Sequence, residues 1–186
     1  AMLEDLGSVL QPDHRVLDAG CGTGAMSRRI LEFQPTVDLT LVDASEQMLE
    51  QAGEIGTRRL VGDITALPFD DDAFDVVTCA WVIETVPDPK AAIAELLRVL
   101  APDGFLLYTF CSLPSGWLSR QGTAILREFV TRGFAGQFLE PEETPWHDCD
   151  RSRRASFHGG LSTYILLRKC CSVSPDALPA VSAADV

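Results

Sequence analysis

The sequence lacks the features that mark several classes of protein. No apolar run approaches the roughly 20 residues that span a bilayer, so no membrane span is expected. Acidic residues outnumber basic ones by 27 to 15, and the net charge of −12 disfavours a nucleic-acid partner, which usually requires a basic face. The first residues have neither the positive nor the apolar segment of a signal peptide. A cytoplasmic protein is therefore expected.

Cysteine and histidine do not stand at the spacings of a structural metal site. The chain has six cysteines and three histidines, but no CxxC pair, and so no metal is predicted. The cysteines are interpreted as buried, reduced thiols. An alternative stays open, because three thiols near the end of the chain could together bind a soft metalloid. These are Cys149, Cys170 and Cys171.

What the sequence does contain is a glycine-rich stretch at residues 16–24, VLDAGCGTG. It predicts a buried strand, a tight turn and the start of a helix, and such a turn lets a ligand approach backbone N–H groups. A dinucleotide site can use a similar turn, since Ala25 stands where a third glycine or an alanine is required. Asp18 argues against it, because a carboxylate would repel a pyrophosphate and attract an ammonium group.

Strand-like and helix-like segments alternate over the first 110 residues. Strands are predicted at 15–19, 38–43, 58–62, 74–79 and 105–110. Helices are predicted at 3–10, 23–33 and 90–100 and after the capping residue Ser45, with a turn at 101–104. This alternation favours a doubly wound, parallel α/β sheet. Ligands bind such sheets at the carboxyl ends of strands, where Gly20, Asp43, Asp63 and Ala80 fall.

The rhythm changes after residue 110. A helix is predicted at 117–134, a polar loop at 140–149, and a hairpin with strands at 153–157 and 163–169. Residues 172–186 carry no periodic apolar stripe and are interpreted as a loosely ordered tail. We therefore expect one domain over residues 1–171, in which segment 111–150 precedes the hairpin.

Residues 16–24 resemble motif I of the class I S-adenosylmethionine-dependent methyltransferases almost letter for letter. Further segments resemble the later motifs of that family in the same order. They are 41–49 (LVDASEQML), 62–69 (GDITALPF), 74–77 (FDVV) with 86–89 (VPDP), and 97–104 (LRVLAPDG). The resemblance covers residues 15–110 and is to the small-molecule, methyltransferase-11-like subgroup. It implies a Rossmann-like sheet of seven strands, in the order 3-2-1-4-5-7-6 with strand 7 antiparallel.

The resemblance also implies a cofactor, S-adenosylmethionine, with S-adenosylhomocysteine as the product. Six residues would surround its methionine part and sulfonium: Asp18, Gly20, Cys21, Gly22, Ala80 and Trp81. Asp18 would lie near the amino group, while Ala80 and Trp81 would line the sulfonium end. For each acidic residue the alternative is a helix cap or a solvated loop position.

The adenosine part of the cofactor would be bound by five residues that follow the second and third strands. By the resemblance, Asp43 would accept both ribose hydroxyls, and Ala44 and Met48 would pack on the adenine. Asp63 would accept a hydrogen bond from the adenine amino group, beside Ile64.

Methyl transfer from a sulfonium is an in-line displacement, so alignment can supply most of the acceleration and a base is needed only if the acceptor must lose a proton. Related small-molecule enzymes often have a histidine after strand 4, but here Thr85 stands in its place. His147 is the candidate base, and a purely structural role is the alternative. His158, at the predicted hairpin turn, is more readily interpreted as a surface residue.

A small-molecule acceptor is predicted, selected by residues 111–150, whose acidic loop favours a neutral or cationic compound. Because few residues precede the first strand, the site is expected to be open or to be closed by a second copy in a homodimer. Two other functions stay open at this stage. One is a non-catalytic module of the same fold that binds the cofactor, and the other is a nicotinamide-dependent oxidoreductase.

Overall fold

The computed structural model describes residues 1–56, 58–112, 153–157 and 162–169. Seven strands form one sheet in the order β3-β2-β1-β4-β5-β7-β6. They are β1 (Arg15–Ala19), β2 (Asp38–Asp43), β3 (Arg58–Val61), β4 (Phe74–Ala80), β5 (Leu100–Cys111), β6 (Arg153–Phe157) and β7 (Ser162–Arg168). The first five pair in parallel, and β7 runs antiparallel to both β5 and β6. The predicted fold class and strand order are confirmed.

Four α-helices are described, together with one short 3-10 helix. They are α1 (Met2–Val9), α2 (Ala25–Phe33), α3 (Glu46–Ala52) and α4 (Pro89–Val99), and the 3-10 helix covers Ile83–Thr85. None of these described helices combines the length and the apolar character needed to cross a bilayer. The predicted helix at 117–134, the loop at 140–149 and the tail at 172–186 lie outside the described residues.

Both faces of the sheet are buried, which explains why its parallel strands lack alternating polarity. Leu17 and Val77 pack in one cluster with Ile93 and Leu96 of α4. Val16 belongs to the opposite cluster, which contains apolar residues of α1, α2 and α3. Neighbouring residues of a strand point to opposite faces, so β1, β2, β4, β5 and β7 each contribute side chains to both clusters.

The register aligns the carboxyl ends of the first four strands at one edge. Ala19 pairs with Val42 across β1 and β2, and Asp43 pairs with Val61 across β2 and β3. Ala80 pairs with Thr109 at the end of β4. The loops that follow these strands therefore meet, and this edge is where a ligand site is expected.

The turn predicted at 101–104 is wrong, because β5 begins at Leu100 and runs through it. Asp103 N–H donates to the Lys169 carbonyl at 3.0 Å, and Lys169 N–H donates to the Gly104 carbonyl at 2.9 Å. These long-range bonds extend the pairing with the chain after β7. The irregularity that sequence suggested survives as a left-handed Asp103 (φ 63°) and a register shift in the β4–β5 ladder.

Three helices begin at residues other than those predicted, and α1 differs by a single residue, since it covers Met2–Val9 where 3–10 was predicted. Helix α2 begins at Ala25 rather than Thr23, because Gly24 is its N-cap in a left-handed conformation (φ 80°). Helix α4 begins at Pro89, one residue before the predicted start at residue 90. Proline suits the first helical position, and the Asp88 side chain accepts hydrogen bonds from the N–H groups of residues 90 and 91.

Helix α1 is attached to the hairpin of β6 and β7 by a buried acid. Asp5 is 7% exposed and accepts a hydrogen bond from Tyr164 Oη at 2.8 Å. Arg153 of β6 also binds this carboxylate. The first helix and the last strands of the sheet are therefore held together by charge and hydrogen bonding as well as by packing.

Candidate functional site

A cavity of about 540 Å³ opens at the carboxyl ends of the parallel strands. Its wall comes from the loops after β1, β2, β3 and β4 and from the start of α3. Ten of the eleven residues predicted to bind the cofactor line it: Gly20, Cys21, Gly22, Asp43, Ala44, Met48, Asp63, Ile64, Ala80 and Trp81. The eleventh, Asp18, lies beneath the wall. His147, the candidate base, is outside the described residues, as are His158 and the three cysteines of the metalloid hypothesis.

The glycine turn after β1 uses its own backbone donors. The N–H groups of Gly20 and Cys21 both donate to the Val42 carbonyl, at 2.7 and 3.0 Å. Gly22 N–H donates to Asp43 Oδ2 at 2.7 Å, and Gly24 N–H donates to the Cys21 carbonyl at 2.9 Å. The sequence indicated that a ligand could approach backbone N–H groups of this turn, and these four N–H groups already have partners within the protein. Along these four residues the turn provides space beside backbone groups that are already hydrogen-bonded.

That space depends on two glycines for different reasons. Both Gly20 (φ 70°) and Gly22 (φ 53°) are left-handed, a conformation that disfavours a Cβ. A Cβ at Gly20 would come within 2.4 Å of Val82 Cγ2, so this glycine lets the turn pack against the segment after β4. A Cβ at Gly22 would meet no heavy atom within 4 Å. Gly22 therefore forms a cradle on the cavity side that a side chain would fill.

Asp43 connects this turn to the end of β2. Its Oδ2 accepts the hydrogen bond from Gly22, and its Oδ1 accepts one from Ser45 N–H at 2.9 Å. Ser45 in turn caps α3, because its hydroxyl accepts from Met48 N–H. A carboxylate has about four lone-pair directions, so Asp43 keeps roughly two for hydroxyl donors of a ligand.

Asp63 follows β3 and closes a small turn. Its Oδ1 accepts from both the N–H and the hydroxyl of Thr65, each at 2.8 Å. The Thr65 N–H, and then its hydroxyl, lower the pKa of Asp63, so this exposed carboxyl is ionised. No described residue donates to Oδ2. A negatively charged acceptor is thus held at the rim of the cavity.

Asp18 of β1 is 1% exposed and contacts both α2 and β4. Ser27 of α2 donates to its Oδ2 at 2.5 Å, and Thr78 of β4 donates to its Oδ1 at 2.9 Å. Burial raises the pKa of Asp18, and the charge of Asp43 acts in the same direction, whereas the two hydroxyl donors oppose the shift. The carboxyl group is therefore part of the support beneath the glycine turn.

Cys21 is the one thiol among the described residues of the cavity wall. It is 7% exposed, and burial, assisted by the negative charges of Asp18 and Asp43, raises its pKa to about 12. The group is a protonated thiol at neutral pH and is not a nucleophile. Within the described part of the chain, no cluster of three His, Cys, Asp or Glu residues could hold a metal ion.

Glu84, for which the sequence predicted no role, has an unusual environment in the structure. It is 5% exposed, and its Oε2 accepts no hydrogen bond from the described residues. Burial raises its pKa, and the Cys111 thiol beside it has a pKa raised to about 11 by burial and by the charge of Glu84. The only signal of Glu84 in the sequence is its place beside Thr85, in the segment after strand 4.

Comparisons with known proteins agree with this geometry. A family model described as a methyltransferase domain matches residues 17–108. The demethylmenaquinone methyltransferase of Staphylococcus aureus is 34% identical over 151 residues, covering 76% of this chain. The match covers 61% of that relative, so the chain spans about three fifths of the length of the curated relatives it matches.

Solved structures share the fold. A methyltransferase from Thermotoga maritima aligns with a TM-score of 0.67 and 22% identity, over 90% of this chain and 87% of that one. The [4+2]-cyclase SpnF aligns with a TM-score of 0.55 and 28% identity, over 61% of this chain and 46% of that one. The same fold and partly similar sequences therefore occur in proteins whose described reactions differ.

Proposed function

Because this chain belongs to the class I S-adenosylmethionine-dependent methyltransferase family, we propose that it transfers a methyl group from S-adenosylmethionine to a small-molecule acceptor. The observation that carries the proposal is the cavity itself. It combines an open cradle at Gly22 with the carboxylates of Asp43 and Asp63. A ligand with a hydroxylated sugar and an adenine amino group would meet acceptors on that side of the cavity.

The adenosine part would be bound by the loops after β2 and β3. Asp43 would accept the ribose hydroxyls with the lone pairs that Gly22 and Ser45 do not use. Ala44 and the half-exposed Met48 would pack on the adenine ring. Asp63 would accept a hydrogen bond from the adenine amino group through its Oδ2, and Ile64 would pack beside it.

The methionine part would lie along the glycine turn. Gly20 and Cys21 would form the floor, Gly22 would leave room for the ligand, and Ala80 and Trp81 would line the sulfonium end. Asp18 would attract the ammonium group from beneath the turn, by its charge and without direct exposure to the cavity. An ammonium group nearby would also lower the pKa of Asp18 and favour its ionised form.

When bound, the cofactor supplies an activated methyl group on a positively charged sulfur. The residues of this chain would orient that group and exclude water from it, since no thiol, amine or imidazole of the described wall is set up as a nucleophile. If the acceptor must lose a proton, His147 is our candidate base. The acceptor would be a neutral or cationic small molecule, and the relative from S. aureus, named for demethylmenaquinone, supports the small-molecule class.

Binding calorimetry and a transfer assay together test this proposal. S-adenosylhomocysteine should bind to the wild-type chain, and NADH should not. Incubation with S-adenosylmethionine labelled in its methyl group and a metabolite extract should yield a labelled small molecule. Binding of NADH without S-adenosylhomocysteine would instead support a nicotinamide-dependent oxidoreductase. Light scattering tests the predicted homodimer.

A second candidate function is a member of this fold that binds the cofactor but transfers no methyl group. The similarity to SpnF, described as a [4+2]-cyclase, favours keeping this candidate. It predicts binding of S-adenosylhomocysteine by calorimetry together with no labelled product from any extract. The same two measurements therefore separate it from the first proposal.

A further inference from the structure

Trp81 has a backbone conformation that its residue type disfavours. It follows β4 directly and has φ 63°, in the left-handed region where a Cβ is crowded. Its side chain is 44% exposed and lines the cavity. An aromatic residue in this state gains little burial in return for its conformation. Backbone outliers that persist in this way are concentrated at functional sites.

A buried hydroxyl from the neighbouring strand binds Trp81 in this conformation. Thr109 of β5 is fully buried, and its Oγ1 accepts a hydrogen bond from Trp81 N–H at 2.9 Å. Thr109 pairs with Ala80 on one side and with Tyr164 on the other, so its backbone is fixed by two strands. The acceptor oxygen therefore has a defined position at the point where the β4–β5 pairing ends.

We propose that Thr109 is a positioning residue of the methyl-transfer site, which holds Trp81 in its left-handed conformation so that the indole forms the wall at the sulfonium end. The inference rests on the proposed function, because only that function puts a sulfonium at this wall. The aromatic face of an indole attracts a cation, and the attraction depends on where the ring lies. Losing the Thr109 hydroxyl would let the backbone after Ala80 relax and would displace the ring.

Two substitutions at residue 109 separate the hydroxyl from the volume of the side chain. Thr109→Val keeps the β-branched shape and removes the acceptor, whereas Thr109→Ser keeps the acceptor and removes a methyl group. We expect Thr109→Val to weaken S-adenosylhomocysteine and S-adenosylmethionine binding by about fivefold or more, with the larger loss for the charged S-adenosylmethionine. Thr109→Ser should stay within about twofold of wild type. If Thr109→Val does not fold, Thr109→Ala replaces it, since it also lacks the hydroxyl.

A double-substitution cycle with Trp81→Gly tests whether Thr109 acts through Trp81. Glycine adopts φ 63° without a penalty and has no indole to place. In that background Thr109→Val should change cofactor affinity by less than about twofold, so the two effects should not add. Equal losses in both backgrounds would show that Thr109 merely supports the fold and would overturn the inference. Wild-type affinity in Thr109→Val would overturn it as well.

A measurement without ligand keeps this inference separate from the proposed function. The Trp81 N–H should exchange slowly with solvent deuterium in wild type and in Thr109→Ser, and faster in Thr109→Val. If the wild-type chain binds neither S-adenosylmethionine nor S-adenosylhomocysteine, the proposed function fails, and the role of Thr109 at a sulfonium fails with it. The exchange data then still report on the hydrogen bond between Trp81 and Thr109. If the wild type binds and exchange is unchanged in Thr109→Val, the positioning role alone is refuted.

Discussion

Removing the carboxylate of Asp43 should weaken cofactor binding more strongly than any other single change in the cavity wall. In Asp43→Ala the ribose loses an ionised acceptor for two hydroxyls, and hydrogen bonds to a charged group contribute about 1.5–3 kcal/mol each. The low end of that range suits a half-exposed site and gives about 3 kcal/mol for two bonds, or roughly a hundredfold in affinity. The same change also frees the Gly22 and Ser45 N–H groups that Asp43 now binds.

The assay is calorimetric titration with S-adenosylhomocysteine, accompanied by urea unfolding to report the loss of the two backbone bonds. Asp43→Asn keeps the shape and removes the charge, so its affinity should lie between those of wild type and Asp43→Ala. Asp38→Asn is the matched control, because it makes the same charge change at the opposite end of β2, away from the cavity. An Asp43→Ala chain that is folded and binds within twofold of wild type would refute the assignment of the ribose site.

Three further predictions concern the turn, a buried acid and the first helix. Gly22→Ala and Gly20→Ala introduce the same left-handed strain of about 1–2 kcal/mol. The added methyl group of Gly22→Ala enters open space, so this variant should lose cofactor affinity. The methyl group of Gly20→Ala overlaps Val82, so this variant should lose more thermal stability. Burial raises the pKa of Glu84 in the folded state. The stability that the protonated carboxyl contributes is therefore lost as pH rises from about 4.3, the pKa in the unfolded chain, through the raised pKa of the folded state. Glu84→Gln should be more stable than wild type at neutral pH in urea unfolding, and a difference that does not change with pH would contradict this. Tyr164→Phe removes a hydrogen-bond donor to the buried Asp5 and should lower the free energy of unfolding by about 1–3 kcal/mol. Amide exchange in α1 should become faster in this variant. Unchanged exchange in α1 would count against the attachment of that helix.

The strands near the site could be predicted well because their ends carry clear local signals. The bounds of β1 and β2 agree with the prediction, since β1 runs from Arg15 to the glycine turn and β2 runs from Asp38 to Asp43. The beginning of β5 could not be predicted, because Leu100 pairs with Phe74 of β4 and residues 103 and 104 form hydrogen bonds with Lys169, which lies 65 residues or more along the chain from them. A local pattern of Pro, Asp and Gly indicates a turn and contains no information about such a distant partner.

The position of Asp18 shows the same limit at the scale of one side chain. Its place near the end of β1 suggested contact with a ligand. That contact remains a proposal, because the Asp18 side chain is buried in the structure. Side chains alternate along a strand, so Asp18 shares a face with Val16, and that face is covered by α1, α2 and α3. Alternation alone could have predicted a buried acid there. Its partners Ser27 and Thr78 could not have been identified, because they come from two other elements.

The hydrogen bonds of the glycine turn bear on its ligand in a way that the sequence did not show. In the sequence, the charge of Asp18 disfavoured a pyrophosphate, but that residue lies beneath the turn and acts at a distance. In the structure, Asp43 already accepts the Gly22 N–H, while Val42 accepts those of Gly20 and Cys21. A pyrophosphate at this turn would have to displace a carboxylate from its donor and would then lie beside that negative charge. A ligand that brings hydroxyl donors to Asp43 and a cation toward Asp18 meets no such conflict, which agrees with the cofactor proposed above.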